Sequence, residues 1–214
     1  MRVYGREIRD VTALIISHDH ADHMRCAGVY QRKFGLPIYM TERTQRAYRE
    51  DLGLLRDVRH FSVGQTLRFD DVRVYTIRTP HDAADGSVFV VEHDDRRLGI
   101  LTDLGYPFDE LHRLLPTLDA AYLESNYDPE MLANGPYPPD LQARIRGDGG
   151  HLSNHEAAAL VRQAARRLQW VVLSHLSEHN NRPELALETH QQLVGPRLPF
   201  HVAPRYDLSD LLNL

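Results

Sequence analysis

Short apolar runs and period-two alternations recur along the chain between polar turns, and they predict a mixture of strands and helices. Eight strands are predicted, at residues 11–17, 37–40, 72–79, 86–93, 98–102, 120–124, 170–174 and 200–203. Five helices are predicted, at residues 21–34, 41–51, 107–115, 157–168 and 183–194. Because strands and helices roughly alternate, we predict an α/β fold with the sheet in the middle and the helices outside.

Turn and cap residues separate these elements. Gly35 is the predicted C-cap of the first helix, and residues 94–97 are a predicted hairpin turn. Ser153 and Glu156 match a capping box, with Ser153 as the N-cap of the helix that continues through residues 157–168. Residues 126–150 are rich in Gly and Pro, and we expect a loop too long to be a mere connection.

Composition limits the class of protein. The 214 residues, 42% of them hydrophobic, predict one domain spanning residues 1–214. The formal net charge of −5 argues against a broad basic surface for nucleic acid, although local basic patches remain possible. A single cysteine, Cys26, excludes a disulfide framework and a Cys-rich zinc module. With no signal-peptide pattern and no apolar stretch of membrane-spanning length, we expect a cytoplasmic protein with no membrane partner.

The chemistry of the chain is concentrated in residues 17–23, Ser-His-Asp-His-Ala-Asp-His, which directly follow the first predicted strand. His18 and His20 are two residues apart, which puts both side chains on one face of an extended segment, and Asp22 and His23 follow at the turn into a helix. Imidazole and carboxylate are ligands for zinc, manganese or iron, and they have little use in packing. The spacing therefore predicts two adjacent metal ions.

Three more polar residues follow predicted strands. His81 comes after the strand at residues 72–79, Asp103 after 98–102 and His175 after 170–174. Strand ends at one sheet edge can converge on a single cleft, so we expect seven ligands for two divalent ions, Zn²⁺ or Mn²⁺, with open positions for water and substrate. The predicted metal ligands are His18, His20, Asp22, His23, His81, Asp103 and His175.

The pattern His-x-His-x-Asp-His followed by a lone His, Asp and His resembles the metallo-β-lactamase fold, an αββα sandwich with a two-metal cleft at one edge. The resemblance implies two groups of ligands, one for each ion, with Asp103 bridging the two ions. The first group is His18, His20 and His81, and the second is Asp22, His23 and His175.

Finer motifs resemble the YycJ (WalJ) family of exonucleases within this fold. They are residues 79–83 (Thr-Pro-His-Asp-Ala), 124–132 with 135–138, 150–154 (Gly-His-Leu-Ser-Asn) and 174–181 (Ser-His-Leu-Ser-Glu-His-Asn-Asn). The resemblance implies a nuclease that cuts phosphodiester bonds in DNA from the 5′ end.

Family members usually carry several strands before the first His motif, whereas ten residues precede Val11 here. We therefore expect an N-terminally truncated αββα sandwich that lacks about 40–60 residues, the length of a few strands with their turns. A start site placed too late, or a truncated sequence, would explain the difference; if the chain is complete, an exposed sheet edge or face would favour a homodimer.

For the reaction we expect a metal-bridging hydroxide to attack phosphorus, with Asp103 holding both ions. Asp82 either orients a ligand or accepts a proton, or is a plain turn residue. His151 precedes a helix N-terminus that favours an anion, so it is a candidate donor or general acid; the alternative is a capping-loop histidine bonded to the backbone.

Two arginines and three asparagines are candidates for substrate binding. Arg144 and Arg146 could steer a phosphate backbone into the cleft, or they could form a solvated helix end. Asn126 could orient substrate or hold the long loop, as could Asn180 and Asn181. Among the remaining histidines, which lack a strand-end pattern, His179 adjoins the His175 loop.

The leading hypothesis is a binuclear metal-dependent hydrolase acting as a 5′ to 3′ DNA exonuclease. Fold alone does not select the substrate. A small-molecule or cyclic-nucleotide phosphodiesterase is therefore the alternative enzyme, and a non-catalytic metal-binding remnant of the fold is the alternative of another class.

Overall fold

Two sheets of unequal size form the centre of the computed structural model, which describes residues 4–164 and 166–214. The smaller sheet is parallel, in the order β1-β2-β3, and the larger has the order β10-β9-β8-β7-β6-β5-β4. The smaller sheet contains β1 (Leu14–Ile15), β2 (Ile38–Met40) and β3 (Val58–His60). The larger contains β4 (Thr66–Phe69), β5 (Val72–Arg78), β6 (Ser87–His93), β7 (Arg96–Leu101), β8 (Ala120–Glu124), β9 (Trp170–Ser174) and β10 (Phe200–Val202).

Eight α-helices are found in the described residues. They are α1 (Ala21–Met24), α2 (Ala27–Phe34), α3 (Glu42–Ala47), α4 (Asp109–Leu114), α5 (Pro129–Asn134), α6 (Pro139–Arg146), α7 (Asn154–Ala164) and α8 (Pro183–Val194). Ala165, which falls in the predicted helix 157–168, lies outside the described residues. None of the helices in the described part of the chain has the length and apolar character needed to cross a bilayer.

Alternating side chains divide the core into four clusters, one of which lies on β8 and β9 and packs against Leu212 of the C-terminal segment. On β2, Tyr39 packs between the two sheets, whereas Ile38 and Met40 face α1 and α2. The other face of the larger sheet packs on α4, α7 and α8 through leucines such as Leu123 and Leu173. Helices therefore cover two stacked sheets, which confirms the predicted αββα sandwich.

Cap residues explain where several elements begin and end. Gly35 ends α2 with a φ of 72°, a left-handed conformation that glycine adopts without strain, as predicted. The Glu156 carboxylate accepts from the Ser153 backbone N–H at 2.8 Å, and the Ser153 hydroxyl accepts from the Glu156 N–H at 3.2 Å. The predicted capping box is confirmed.

Other boundaries differ from prediction. The predicted helix 21–34 is two helices with a break at Arg25 and Cys26, and the predicted strand 11–17 is reduced to the two residues of β1. Arg96 and Arg97 belong to β7, so the hairpin turn is confined to Asp94 and Asp95. The predicted loop 126–150 contains α5 and α6, each of which begins at a proline, a residue suited to the first helical position. Strands β3 and β4 were not predicted.

A buried histidine in α8 generates a prediction about stability. The His190 Nδ1–H donates to the Ala186 carbonyl at 2.8 Å, and among the described residues Nε2 has no hydrogen-bond partner. Burial lowers the pKa of His190 to about 4. In the unfolded chain a histidine has a pKa of about 6.5. The unfolded state therefore binds a proton first as the pH falls, and the folded state loses stability below about pH 6.5.

We expect His190 alone to lower the free energy of unfolding by about 2 kcal/mol on going from about pH 7.5 to about pH 5. In His190→Gln, which cannot take up this proton, chemical unfolding should show a correspondingly smaller loss over the same range. His112→Gln, on the exposed side of α4, is the matched control and should behave as the parent protein. An equal loss in His190→Gln and the parent would contradict the assignment.

Candidate metal centre

Strand direction brings the predicted ligands to one edge of the larger sheet. β5, β7, β8 and β9 run in the same direction, so their carboxyl ends meet there. His81 follows β5, Asp103 follows β7 and His175 directly follows β9. The loop after β1 joins this edge because the Ser87 N–H donates to the Ser17 carbonyl at 3.1 Å. Residues from distant parts of the sequence thereby surround one cleft, as expected.

All seven predicted ligands lie in overlapping clusters. Within each cluster, every side chain offers one ligand atom that is within 4.8 Å of the others. The clusters are His18, His20 and His81; His18, His23 and Asp103; Asp22, His23 and His175; and Asp103, Glu124, His151 and His175. The first and third are the two groups that the family resemblance implies.

Hydrogen bonds on the outer side of the imidazoles set which nitrogen faces the cleft. The Ser17 hydroxyl lies 3.0 Å from Nδ1 of His18 and 3.1 Å from Nδ1 of His23. Nδ1 of His81 donates to the Gly150 carbonyl at 3.0 Å. With Nδ1 engaged by these outer contacts, Nε2 of each ring is left to face the cleft.

Two buried side-chain atoms are suited to bind a metal ion. Among the described residues, His18 Nε2 and Asp103 Oδ2 have no hydrogen-bond partner. A buried polar atom without a partner costs about 1–3 kcal/mol, which a coordinated cation would offset. Burial, reinforced by the neighbouring His23 and His20, lowers the pKa of His18 to about 2 and keeps this ring in the neutral form that binds metal.

Asp103 lies between the two groups of ligands. Its Oδ1 is 3.6 Å from His81 Nε2 and 3.5 Å from His175 Nε2, and its Oδ2 is 3.5 Å from His23 Nε2. Asp103 and His175 both have a φ of 58°, a left-handed conformation that is uncommon for residues other than glycine. A strained backbone conformation of this kind persists where the surrounding contacts hold it in place, and such conformations are frequent at functional sites.

Glu124, the last residue of β8, supports the site and was missed as a candidate from sequence. It is fully buried, and its Oε1 accepts from Nδ1 of His151 at 2.7 Å and of His175 at 3.0 Å. Its Oε2 accepts from the backbone N–H groups of Leu104 at 2.9 Å and Leu152 at 3.3 Å. With four donors already bonded, we assign Glu124 to the orientation of both imidazoles and not to metal coordination. Its position at a strand end was the available sign in the sequence.

The charges around Glu124 shift the pKa values of the groups that it contacts. Burial raises the pKa of Glu124, but the hydrogen bonds from His151 and His175 outweigh burial and hold that pKa well below its usual range. Burial lowers the pKa of His175, whereas the hydrogen bond to Glu124 and the charge of Asp103 raise it, with a net value of about 9. Glu124 is therefore an ionised carboxylate beneath the cleft.

Asp82 and Arg144 form an ion pair on one side of the cleft. Nε of Arg144 donates to Asp82 Oδ2 at 2.6 Å, while Asp82 Oδ1 is 3.6 Å from Nε2 of both His20 and His81. Burial raises the pKa of Asp82, but the hydrogen bond from Arg144 outweighs it and the pKa is lowered. The loop carrying Asp82 thus fixes α6, through Arg144, beside the candidate metal ligands.

The remaining predicted residues fall in different places. His151 lines the cleft, with its ring centroid 4.9 Å from that of His81 and 5.2 Å from that of His175. Asn126 also lines it, but its amide donates to the His175 carbonyl at 2.8 Å and so holds the loop. Arg146 does not line the cleft and instead reaches Gln142 on the same helix. The structure brings His151, Asn126 and Arg144 to the cleft and leaves Arg146 outside it.

We expect Glu124→Gln to weaken metal binding about 10- to 100-fold, because the amide leaves two of the four N–H donors without an acceptor and frees the His175 ring. Isothermal titration of Zn²⁺ into the metal-free protein measures this directly. Glu156→Gln, which changes only the capping box of α7, is the control and should retain parental affinity. Parental affinity in a folded Glu124→Gln variant would contradict the positioning role.

Comparisons with known proteins agree with this fold. A family model described as a Beta-lactamase superfamily domain matches residues 1–176. Exodeoxyribonuclease YycJ of Bacillus anthracis is 34% identical over 206 residues, covering 95% of this chain and 78% of the relative. Exodeoxyribonuclease WalJ of Streptococcus pneumoniae D39 is 35% identical over 187 residues, covering 85% and 70%.

The solved structures agree at the level of the fold. The metallo-β-lactamase fold protein YhfI from Bacillus subtilis superposes with a TM-score of 0.69 at 17% sequence identity, covering 94% of this chain and 79% of that protein. The family model extends over more than four fifths of the sequence and includes every predicted metal ligand. The chain belongs to the beta-lactamase superfamily, within which the YycJ and WalJ proteins are its homologues.

Proposed function

We propose that this protein is a metal-dependent phosphodiesterase that degrades DNA as an exonuclease from the 5′ end, with the polarity implied by the family resemblance. The observation that carries the proposal is the position of Asp103 between two groups of ligands at the floor of an open cleft of about 840 Å³. The relatives named exodeoxyribonuclease support DNA as the substrate.

The proposed ligands suit two divalent ions, Zn²⁺ or Mn²⁺. His18, His20 and His81 would hold one, Asp22, His23 and His175 the other, and both would share Asp103. When bound, such a pair supplies an ionised water at neutral pH and stabilises the negative charge on the phosphate oxygens. Ser17, Gly150 and Glu124 would keep the imidazoles aimed at the ions through the hydrogen bonds to Nδ1.

The chain's own residues would handle the substrate. Arg144 lines the cleft and its guanidinium is a donor for a phosphate oxygen, while Asp82 fixes its position and lies near His20 and His81. The bond from Nδ1 of His151 to Glu124 leaves Nε2 as the ring atom available to the cleft. From there His151 would pass a proton to the leaving oxygen as general acid.

A small or cyclic phosphodiester is the second candidate substrate. The cleft volume falls in the range of sites for small ligands, about 300–1,000 Å³. The net charge of −5 gives the chain no broad attraction for a long duplex. A protein that binds metal without turning over any diester is the remaining alternative.

We expect Asp103→Asn to abolish turnover of both 5′-phosphorylated duplex DNA and bis(p-nitrophenyl) phosphate, since Asn removes the charge shared by both groups of ligands. The assay uses protein reconstituted with Mn²⁺ or Zn²⁺, and release of 5′-labelled mononucleotide reports the polarity. Asp109→Asn, in the first turn of α4, should retain full activity. Hydrolysis of the small ester alone favours the second candidate, and metal binding without turnover of either refutes the proposal.

The role of His151 predicts a dependence on the leaving group. In His151→Gln we expect kcat for DNA to fall about 100- to 10,000-fold, because the deoxyribose oxygen leaves only with a proton. Turnover of bis(p-nitrophenyl) phosphate should fall far less, since p-nitrophenolate leaves without one. His155→Gln, on the exposed first turn of α7, is the control. Equal losses on both substrates would assign His151 to metal-site structure and not to proton transfer.

A further inference from the structure

Three aromatic rings lie on the wall of the cleft away from the candidate metal ligands. Tyr137 lies between α5 and α6, His179 lies in the connection from β9 to α8, and Tyr206 follows β10. The Tyr137 and His179 rings meet edge to face, with centroids 5.7 Å apart and planes at 78°. Neither ring is needed for the sheet core, and both open onto the same space as His151 and His175.

Two polar contacts hold Tyr206 in place. Its hydroxyl donates to Glu178 at 3.1 Å, and the neighbouring Arg205 donates to the Leu176 carbonyl at 2.6 Å. Both acceptors belong to the connection that begins directly after His175. Tyr206 is 81% exposed, and these contacts place its ring beside the connection that carries Glu178.

Positive charge accompanies these rings. Arg205 and Arg144 both line the cleft, on the segment after β10 and on α6 respectively. Aromatic rings beside guanidinium groups match the two parts of a nucleotide, because a base stacks on a ring and a phosphate accepts from a guanidinium. Every base has a π-face, so binding of this kind tolerates any sequence.

We propose that Tyr137, His179 and Tyr206 form a stacking subsite for a nucleobase next to the scissile phosphate. The proposal rests on the proposed function, and it names the part of the substrate that the walls of the cleft bind. A diester without an aromatic group makes no use of this subsite. The subsite therefore favours diesters that carry a nucleobase over those that lack one, despite the net negative charge of the chain.

The test compares two single-stranded oligonucleotides bound to the Mn²⁺-loaded protein. One carries thymine at its first two nucleotides, the other has a tetrahydrofuran abasic residue at each, and phosphorothioate linkages slow cleavage during the measurement. Fluorescence anisotropy should show about 5- to 100-fold tighter binding of the oligonucleotide with bases. Tyr137→Ala and Tyr206→Ala should each lose most of this preference, whereas Tyr137→Phe, which keeps the ring, should retain it.

Tyr30→Ala, on the outer helix α2, is the matched control and should keep the parental preference. Equal affinity of the parent protein for both oligonucleotides, or an unchanged preference in both alanine variants, overturns the subsite. If ordinary DNA is still hydrolysed by the loaded protein, the proposed function survives that result. Absence of both DNA binding and DNA hydrolysis overturns the subsite together with the proposed function.

Discussion

The site depends on one carboxylate, Asp103, which is positioned between two groups of imidazoles. Its backbone has a left-handed conformation that a chain does not adopt without support. The Thr79 hydroxyl donates to the Asp103 carbonyl at 2.6 Å from the end of β5, and the next residue, Leu104, donates its N–H to Glu124 at the end of β8. Strands on both sides of β7 therefore fix Asp103, and the sheet itself determines the geometry of the site.

Support of the same kind extends to the imidazoles. Nδ1 of His18 and His23 faces a shared hydroxyl, Nδ1 of His81 faces a backbone carbonyl, and Nδ1 of His175 faces a buried carboxylate. Each contact orients a ring plane before any cation binds. Buried polar groups are costly without partners, and at this site the outer nitrogens are paired while His18 Nε2 and Asp103 Oδ2 have no partner among the described residues.

The hydrophobic pattern of single segments predicted the elements whose secondary structure depends mainly on their own residues. β8, β9 and α8 follow from apolar runs and clear boundaries, and the strand-end rule located the seven candidate ligands. β3 and β4 were missed because they are short and carry polar residues, so their identity comes from pairing with other strands. Glu124 was missed because its partners His151 and His175 are 27 and 51 residues away along the chain. A single sequence contains no direct sign of such contacts.

The floor and the walls of the cleft are formed by different kinds of structural element. The floor consists of strand ends held by buried hydrogen bonds, whereas the walls are α6 and the segment after β10. No residue of α6 is buried, and exposed contacts such as Tyr206 to Glu178 hold these walls. Exposed polar contacts contribute little stability, so the walls can change without unfolding the sheet. Under the proposed function, hydrolytic chemistry belongs to the floor, and the rings and cations of the walls would select the substrate.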